Sequence, residues 1–144
     1  SSMAFRFGQI QLCIIYAFSG WEKLKGAAWW NGDAMWAVVA NPQMARFDFT
    51  WLSHLPLVLA FTAYLTLIWE IYFPVLVWQP RWRLPVLFLG LMFHLSIAGM
   101  MKIAYFGLLM IAIYVLFLTD GEVDRAWAVL GRIPGLRRPA SKNL

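Results

Sequence analysis

Glu70, His94 and Lys23 are the side chains best placed to move protons in this sequence, because each sits in or beside a long apolar run. An ionisable group inside hydrocarbon is costly, at least about 2.5 kcal/mol on insertion scales, so each is a functional candidate by default. Glu70 lies within the run from Trp51 to Trp78, and His94 within the run from Leu84 to Met101. At about 1.5 Å per helical residue, both lie about 12–15 Å from the cytoplasmic ends of their helices. That equal depth allows a Glu70–His94 hydrogen bond, with Tyr16 of the first apolar run at a similar level. The expected pair reads as structural glue between two helices. The other readings are a proton relay, a contact to a quinone head, or His94 as ligand to a haem or chlorophyll metal.

Lys23 stands in the cluster Ser19-Gly20-Trp21-Glu22-Lys23-Leu24-Lys25-Gly26, at the end of the first run. It reads as a lysine snorkelling beside a helix C-terminus, where the helix dipole favours a cation. The alternative is a base whose pKa is lowered among tryptophans. Other chemistry is missing from the sequence. Cys13 is the single cysteine, inside an apolar run, so no intrachain disulfide or thiolate metal site follows. Two histidines cannot build a zinc site alone, and His54 reads as an interfacial polar residue. There is no phosphate-cradling glycine loop, nucleophile elbow or paired-cysteine motif.

The elements that hold these residues follow from composition. Apolar residues make up 62% of the 144 and charged residues 13%, against roughly 45–50% and about 25% in soluble domains. Mean hydropathy is +0.65. So little polar surface cannot coat a soluble exterior, which makes the chain an integral membrane protein. Runs of this kind must be helical, because lipid-exposed backbone has no water to bond. With about 20 residues needed per crossing, four spans are expected: Phe7 to Trp21 (extendable through Leu24), Trp51 to Trp78, Leu84 to Met101 and Ile103 to Leu118. Pro56 falls in the first turns of the second span, and Pro74 is expected to kink its last turn. The short Met100–Lys102 break implies a tight hairpin between the third and fourth spans.

Residues between the first two spans are too polar and too broken to cross. Asn31-Gly32-Asp33 followed by Ala34 to Ala40 reads as an interfacial helix, with Trp29 and Trp36 on one side. The fold class is therefore all-α: a bundle of four transmembrane helices with an interfacial helix between spans one and two. Residues 1–119 form that bundle. Residues 120–144 form a cytoplasmic amphipathic helix, Val123 to Gly131, and a basic tail.

Orientation follows the lysines and arginines. Arg6, Arg81, Arg83, Arg125, Arg132, Arg137, Arg138 and Lys142 share one side, against Lys23, Lys25, Arg46 and Lys102 on the other. Both termini are then cytoplasmic, in a membrane of the bacterial inner type. The net charge of +5 needs only anionic lipid or a protein partner, with no role for nucleic acid.

The stretch Tyr16-Ala17-Phe18-Ser19-Gly20-Trp21-Glu22-Lys23-Leu24, continuing through Trp29-Trp30-Asn31-Gly32-Asp33-Ala34-Met35, resembles a segment of the horizontally transferred transmembrane domain family. Phe93-His94-Leu95-Ser96 with Gly99 and Phe106-Gly107, and Glu70 with Pro74 and Arg81, extend the resemblance over roughly residues 9 to 118, as a partial domain. That family includes the membrane part of vitamin K-dependent gamma-carboxylase. The resemblance implies a membrane helical fold and, for Lys23, the role of a base that deprotonates a reduced quinone.

Two functions from different classes follow. One is a non-catalytic accessory subunit packed against a larger membrane complex of photosynthetic or respiratory type. Its partner contacts are Trp127 of the amphipathic helix and Arg132, Arg137 and Arg138 of the tail, a segment too polar to fold unaided. The other is a quinone-linked enzyme using Lys23, Glu70 and His94. No cofactor is required by the first reading; a quinone, lipid or pigment contact suits either. Under the first reading Lys23 is dispensable for chemistry, and Lys23→Ala leaves assembly and activity nearly intact.

Overall fold

The structure, a computed structural model, describes residues 3–130. Every element among them is helical. Helix α1 runs Met3–Lys25, α2 Ala27–Asn31 and α3 Ala34–Val39. A 3₁₀ turn, Thr50–His54, leads into α4, Pro56–Leu76; then come α5, Pro80–Met100, and α6, Ala104–Tyr114. A second 3₁₀ turn, Val115–Phe117, precedes α7, Asp120–Leu130.

Prolines set several of these boundaries. Pro56 and Pro80 occupy the first positions of α4 and α5, where a missing N–H leaves no bond unmade. Pro56 therefore starts α4 five residues later than the apolar run does, and Thr50–His54 tightens into 3₁₀ geometry instead. The helix runs through Pro74 to Leu76. Pro74 cannot donate to the carbonyl four residues back, which is that of Glu70.

Helices α4 and α5 are long and apolar enough to cross a membrane. The last apolar limb, Ala104–Phe117, is shorter than the roughly 20 residues a full crossing needs. The interfacial segment is broken into two short helices, with Gly32 between them in the left-handed region at φ 80°. Trp30 of α2 donates its indole N–H to the Leu24 carbonyl at 2.6 Å, satisfying an orphan acceptor at the end of α1. The Tyr64 hydroxyl of α4 donates to the Trp30 carbonyl at 2.6 Å.

Contacts between α1 and α4 show that the two run antiparallel. Gly20 lies against Glu70 and Ile71, Tyr16 against Trp69 and Phe73, and Arg6 over the Trp78 ring. Leu12, Tyr16, Trp69, Phe73, Val77, Val86, Leu87, Met110, Tyr114 and Phe117 form one buried core at the centre of the bundle. The exterior is apolar too: Phe18, Leu57, Phe61, Ile68, Val75, Phe88 and Leu108 all point outward. Inverted exposure of this kind suits a lipid surround and not water. Helices α5 and α6 meet through Gly107, where an added Cβ would fall 2.6 Å from the His94 carbonyl oxygen. Small residues let helix backbones approach in this way.

Helix α7 begins a turn earlier than the expected Val123, because Thr119-Asp120-Gly121-Glu122 acts as a capping box. The Glu122 carboxylate accepts both the Thr119 backbone N–H and its hydroxyl at 2.8 Å. It also pairs with Arg83 of α5 at 3.4 Å. Burial pushes the Glu122 carboxyl up, but the Thr119 donors and the Arg83 charge outweigh it and hold the group below its ordinary 4.5. A depressed folded-state pKa contributes stability that is complete above the ordinary value and is lost as pH falls through the lower folded one.

Hydrogen exchange over residues 120–125 should therefore accelerate as pH falls below the ordinary carboxyl range, and Glu122→Gln should abolish that pH step. At the α5–α6 contact, Gly107→Ala should push the two helices apart at a cost of about 1–3 kcal/mol, read as a lowered melting temperature in detergent. An unchanged melt would show that the approach is not tight.

Candidate functional site

The three residues singled out from the sequence fall into two separate clusters. Lys23 and Glu70 meet directly: Nζ lies 2.6 Å from Oε2, with side-chain exposures of 21% and 6%. The same ammonium donates to the Ser19 hydroxyl, one turn back on α1, at 2.5 Å. It also stands 5.3 Å from the centroid of the Trp29 ring, within cation–π range. Its donors are thus turned toward a carboxylate, a hydroxyl and an aromatic face. Ile15, Phe18, Ser19, Glu22, Lys23 and Trp29 line a groove that opens to the outside of the bundle.

The expected Glu70–His94 hydrogen bond is not formed. Helix α5 begins at Pro80, before the apolar run does, so at about 1.5 Å per residue His94 lies about 21 Å from the α4–α5 turn and Glu70 about 9 Å. The two are not level: the indole of Trp69, next to Glu70, donates to the carbonyl of Val86, well before His94. A Cα–Cβ bond tilts toward its own helix N-terminus, so Glu70 leans toward the Pro56 end of α4 and Lys23, on the antiparallel α1, leans back to meet it. Lys23 is accordingly an ion-pair partner across two helices and not simply a snorkelling terminus.

His94 belongs to a second cluster. Its Nε2 is 2.7 Å from the Tyr16 hydroxyl, which is 2.6 Å from the Tyr114 hydroxyl. The imidazole is 1% exposed, ringed by Phe93, Phe106 and Trp69 at centroid distances of 5.2, 5.8 and 6.2 Å. Gly90 makes room for the Tyr114 hydroxyl and the Trp69 ring, both of which would collide with a Cβ there. His94 Nδ1 is buried with no partner among the described residues.

The burial of Nδ1 ranks the two proton orders of the chain. If Tyr114 donates to Tyr16 and Tyr16 to Nε2, the only unmet group is the Nδ1 proton. In the reverse order both the Nδ1 lone pair and the Tyr114 proton lack partners. One unmet buried group costs about 1–3 kcal/mol, so the first order is the cheaper. The sequence placed Tyr16 at the right level but gave no role to Tyr114. The available signal was its polar tip inside the last apolar run, since a buried tyrosine hydroxyl normally finds a partner.

Both interior assignments hold: Glu70 and His94 face the bundle and are 4% and 1% exposed. No three His, Cys, Asp or Glu side chains converge on a metal position among the described residues. Arg132, Arg137 and Arg138 lie outside the described residues, as does the side chain of Trp127.

With the ion pair and the His–Tyr cluster in place, comparison with known proteins is direct. Residues 3–121, which include Lys23, Glu70, His94 and Tyr114, match the HTTM domain. The chain belongs to the HTTM domain family. This is a membrane domain, found in vitamin K-dependent gamma-carboxylase, and the match makes this chain a membrane protein with a lipid surround. Neither a curated protein nor a solved structure matches it.

The HTTM cluster around His94 can be tested by deletion of single hydroxyls. Tyr16→Phe strips partners from both His94 and Tyr114 and should cost about 1–3 kcal/mol for each group orphaned. Tyr114→Phe keeps the Tyr16–His94 bond and should cost only about 1 kcal/mol. Denaturation in detergent checks the order, and equal losses would refute the chain of bonds.

Proposed function

We propose that this chain is a non-catalytic helical subunit that packs against a larger membrane assembly, of photosynthetic or respiratory type. In this role Lys23 is a clamp between α1 and α4. The observation that carries the reading is the engagement of its ammonium by Glu70, Ser19 and the Trp29 face. A lysine whose donors are taken up by a carboxylate, a hydroxyl and an aromatic face on two helices is engaged structurally, and freeing it would leave Glu70 unpaired in an apolar interior. The groove beside it also opens outward, whereas deprotonating a quinol calls for a closed, dry site. In this reading α1, α4, α5 and the shorter α6 limb all enter the membrane, with both termini cytoplasmic in a bacterial-type inner membrane. The outward aromatic side chains supply the docking surface and the basic tail sets register.

A second reading, a quinone-linked enzyme, is favoured by one observation: Lys23 lines that groove together with Phe18 and Trp29, a fit for a flat apolar ring. If a bound molecule displaced Glu70 from Lys23, the lysine could take a hydroxyl proton.

As a clamp, Lys23 matters for stability while remaining dispensable for chemistry. Lys23→Met alone leaves Glu70 buried and unpaired and should cost about 3–5 kcal/mol. The double variant Lys23→Met, Glu70→Met should recover most of that loss and migrate in native membranes within the same large assembly as the parent chain. Under the enzyme reading the double variant folds but loses turnover of a reduced quinone. A purified chain that turns one over, and stops in the double variant, overturns the subunit assignment.

A further inference from the structure

At the far end of α5 from Pro80, the loop after α3 is pinned to the α5–α6 turn. Ala45 and Met101 form an isolated antiparallel bridge. The Arg46 N–H donates to the Met100 carbonyl at 2.8 Å, and the Lys102 N–H to the Met44 carbonyl at 2.9 Å. These backbone ties bring two cations from distant parts of the chain to one cleft of about 430 Å³, whose walls include Arg46, Phe47, Asp48, Phe49, Thr50 and Lys102.

Neither cation is spent there. Lys102 Nζ donates to the Pro42 carbonyl at 2.6 Å and an Arg46 guanidinium nitrogen to the Met101 carbonyl at 3.3 Å. Those bonds hold the two side chains at the cleft but use only part of the three and five donors they carry. Neither forms an ion pair with a carboxylate among the described residues. Asp48, in the same cleft, accepts the Thr50 N–H at 2.9 Å. That bond holds its carboxyl below the usual range, so it is ionised at neutral pH. Phe47 and Phe49 meet edge to face at 6.2 Å, and Phe47 is 61% exposed.

A cleft with two cations, one anion and an aromatic pair, at the end of a helix long enough to cross a membrane, has the polarity of a zwitterionic headgroup. We infer that this cleft binds the headgroup of a zwitterionic phospholipid. Its phosphate meets Arg46 and Lys102, and its ammonium meets Asp48 and the Phe47–Phe49 rings. Charge-assisted bonds serve the phosphate, and cation–π attraction serves the ammonium. The inference rests on the membrane setting of the HTTM domain and is independent of the role given to Lys23.

The test uses the full chain in detergent with added phosphatidylethanolamine or phosphatidylglycerol, and native mass spectrometry to count retained lipid. Parent protein should retain one phosphatidylethanolamine per chain in preference to phosphatidylglycerol. Arg46→Gln with Lys102→Gln should lower retention of both lipids by about tenfold or more. Asp48→Asn should instead shift preference toward phosphatidylglycerol. Circular dichroism must show the parent's helix content in each variant; for one that unfolds, Arg46→Lys or Asp48→Glu takes its place, with the same direction of change expected. Preference of the parent for phosphatidylglycerol, or retention unaltered in the variants, would overturn the site. Retention of soluble phosphoethanolamine by the parent chain, with no phosphatidylethanolamine retained, would assign the same chemistry to a soluble ligand and overturn the lipid.

Discussion

The contact between Lys23 and Glu70 is the interaction on which the bundle depends. A lone carboxylate in the middle of α4 would be intolerable in an apolar interior, and so would a lone ammonium leaning into it. Together they form one short ion pair, supported by Ser19 and Trp29. The pair fixes α1 against α4 in both rotation and height. Below it the same interface buries Tyr16 against Trp69 and Phe73. The approach at Gly20 is what allows the helices to come near enough for the charges to meet.

A second polar level sits on the other side of that contact. His94, Tyr16 and Tyr114 come from α5, α1 and α6, so one chain of hydrogen bonds ties α1 to two helices that the ion pair does not reach. Aromatic rings close around it. The α5–α6 hairpin depends on small residues at Gly90 and Gly107, and its far turn is tied to the α3 loop through Ala45 and Met101. Polar contacts decide which faces meet. Apolar packing fills the space between them but is also found all over the exterior, so it cannot choose a face by itself.

Much of the helical architecture was legible in the sequence. The runs of α4 and α5, the hairpin after them and the interfacial helix at Ala34 follow from apolar length and from proline and glycine placement. Glu70 and His94 were also recognisable as inward-facing, because each would be expensive anywhere else. Their partners were not recognisable. Depth along the membrane, counted from the ends of the apolar runs, puts Glu70 and His94 at similar heights and so pairs them. Helix α5 starts at Pro80 and not at Leu84, because proline and the polar residues after it fit a first helical turn, and this places His94 further from the shared turn than Glu70. Tyr114 stayed hidden for a related reason: one hydroxyl at the end of an aromatic side chain hardly alters an apolar run. The helix expected from Val123 starts earlier, because a hydroxyl residue at Thr119 and a glutamate three positions on start a helix. The basic tail, to which the sequence assigned partner contacts, lies outside the described residues, so that assignment rests on composition alone.

The ion pair also has a consequence for how the protein is made. Lys23 leaves the ribosome long before Glu70, with the whole interfacial segment and most of α4 between them. During that interval the first helix carries an ammonium whose counter-charge has not yet been synthesised. Its ordinary refuge is the membrane surface, where a lysine side chain can keep its head in water. The first helix therefore reaches its final depth only after α4 has entered and Glu70 can receive it. The hairpin of α5 and α6 joins neighbouring segments and is under no such delay. Assembly order is thus written into the distance along the chain between two charges, and α1, made before α4, settles only after it.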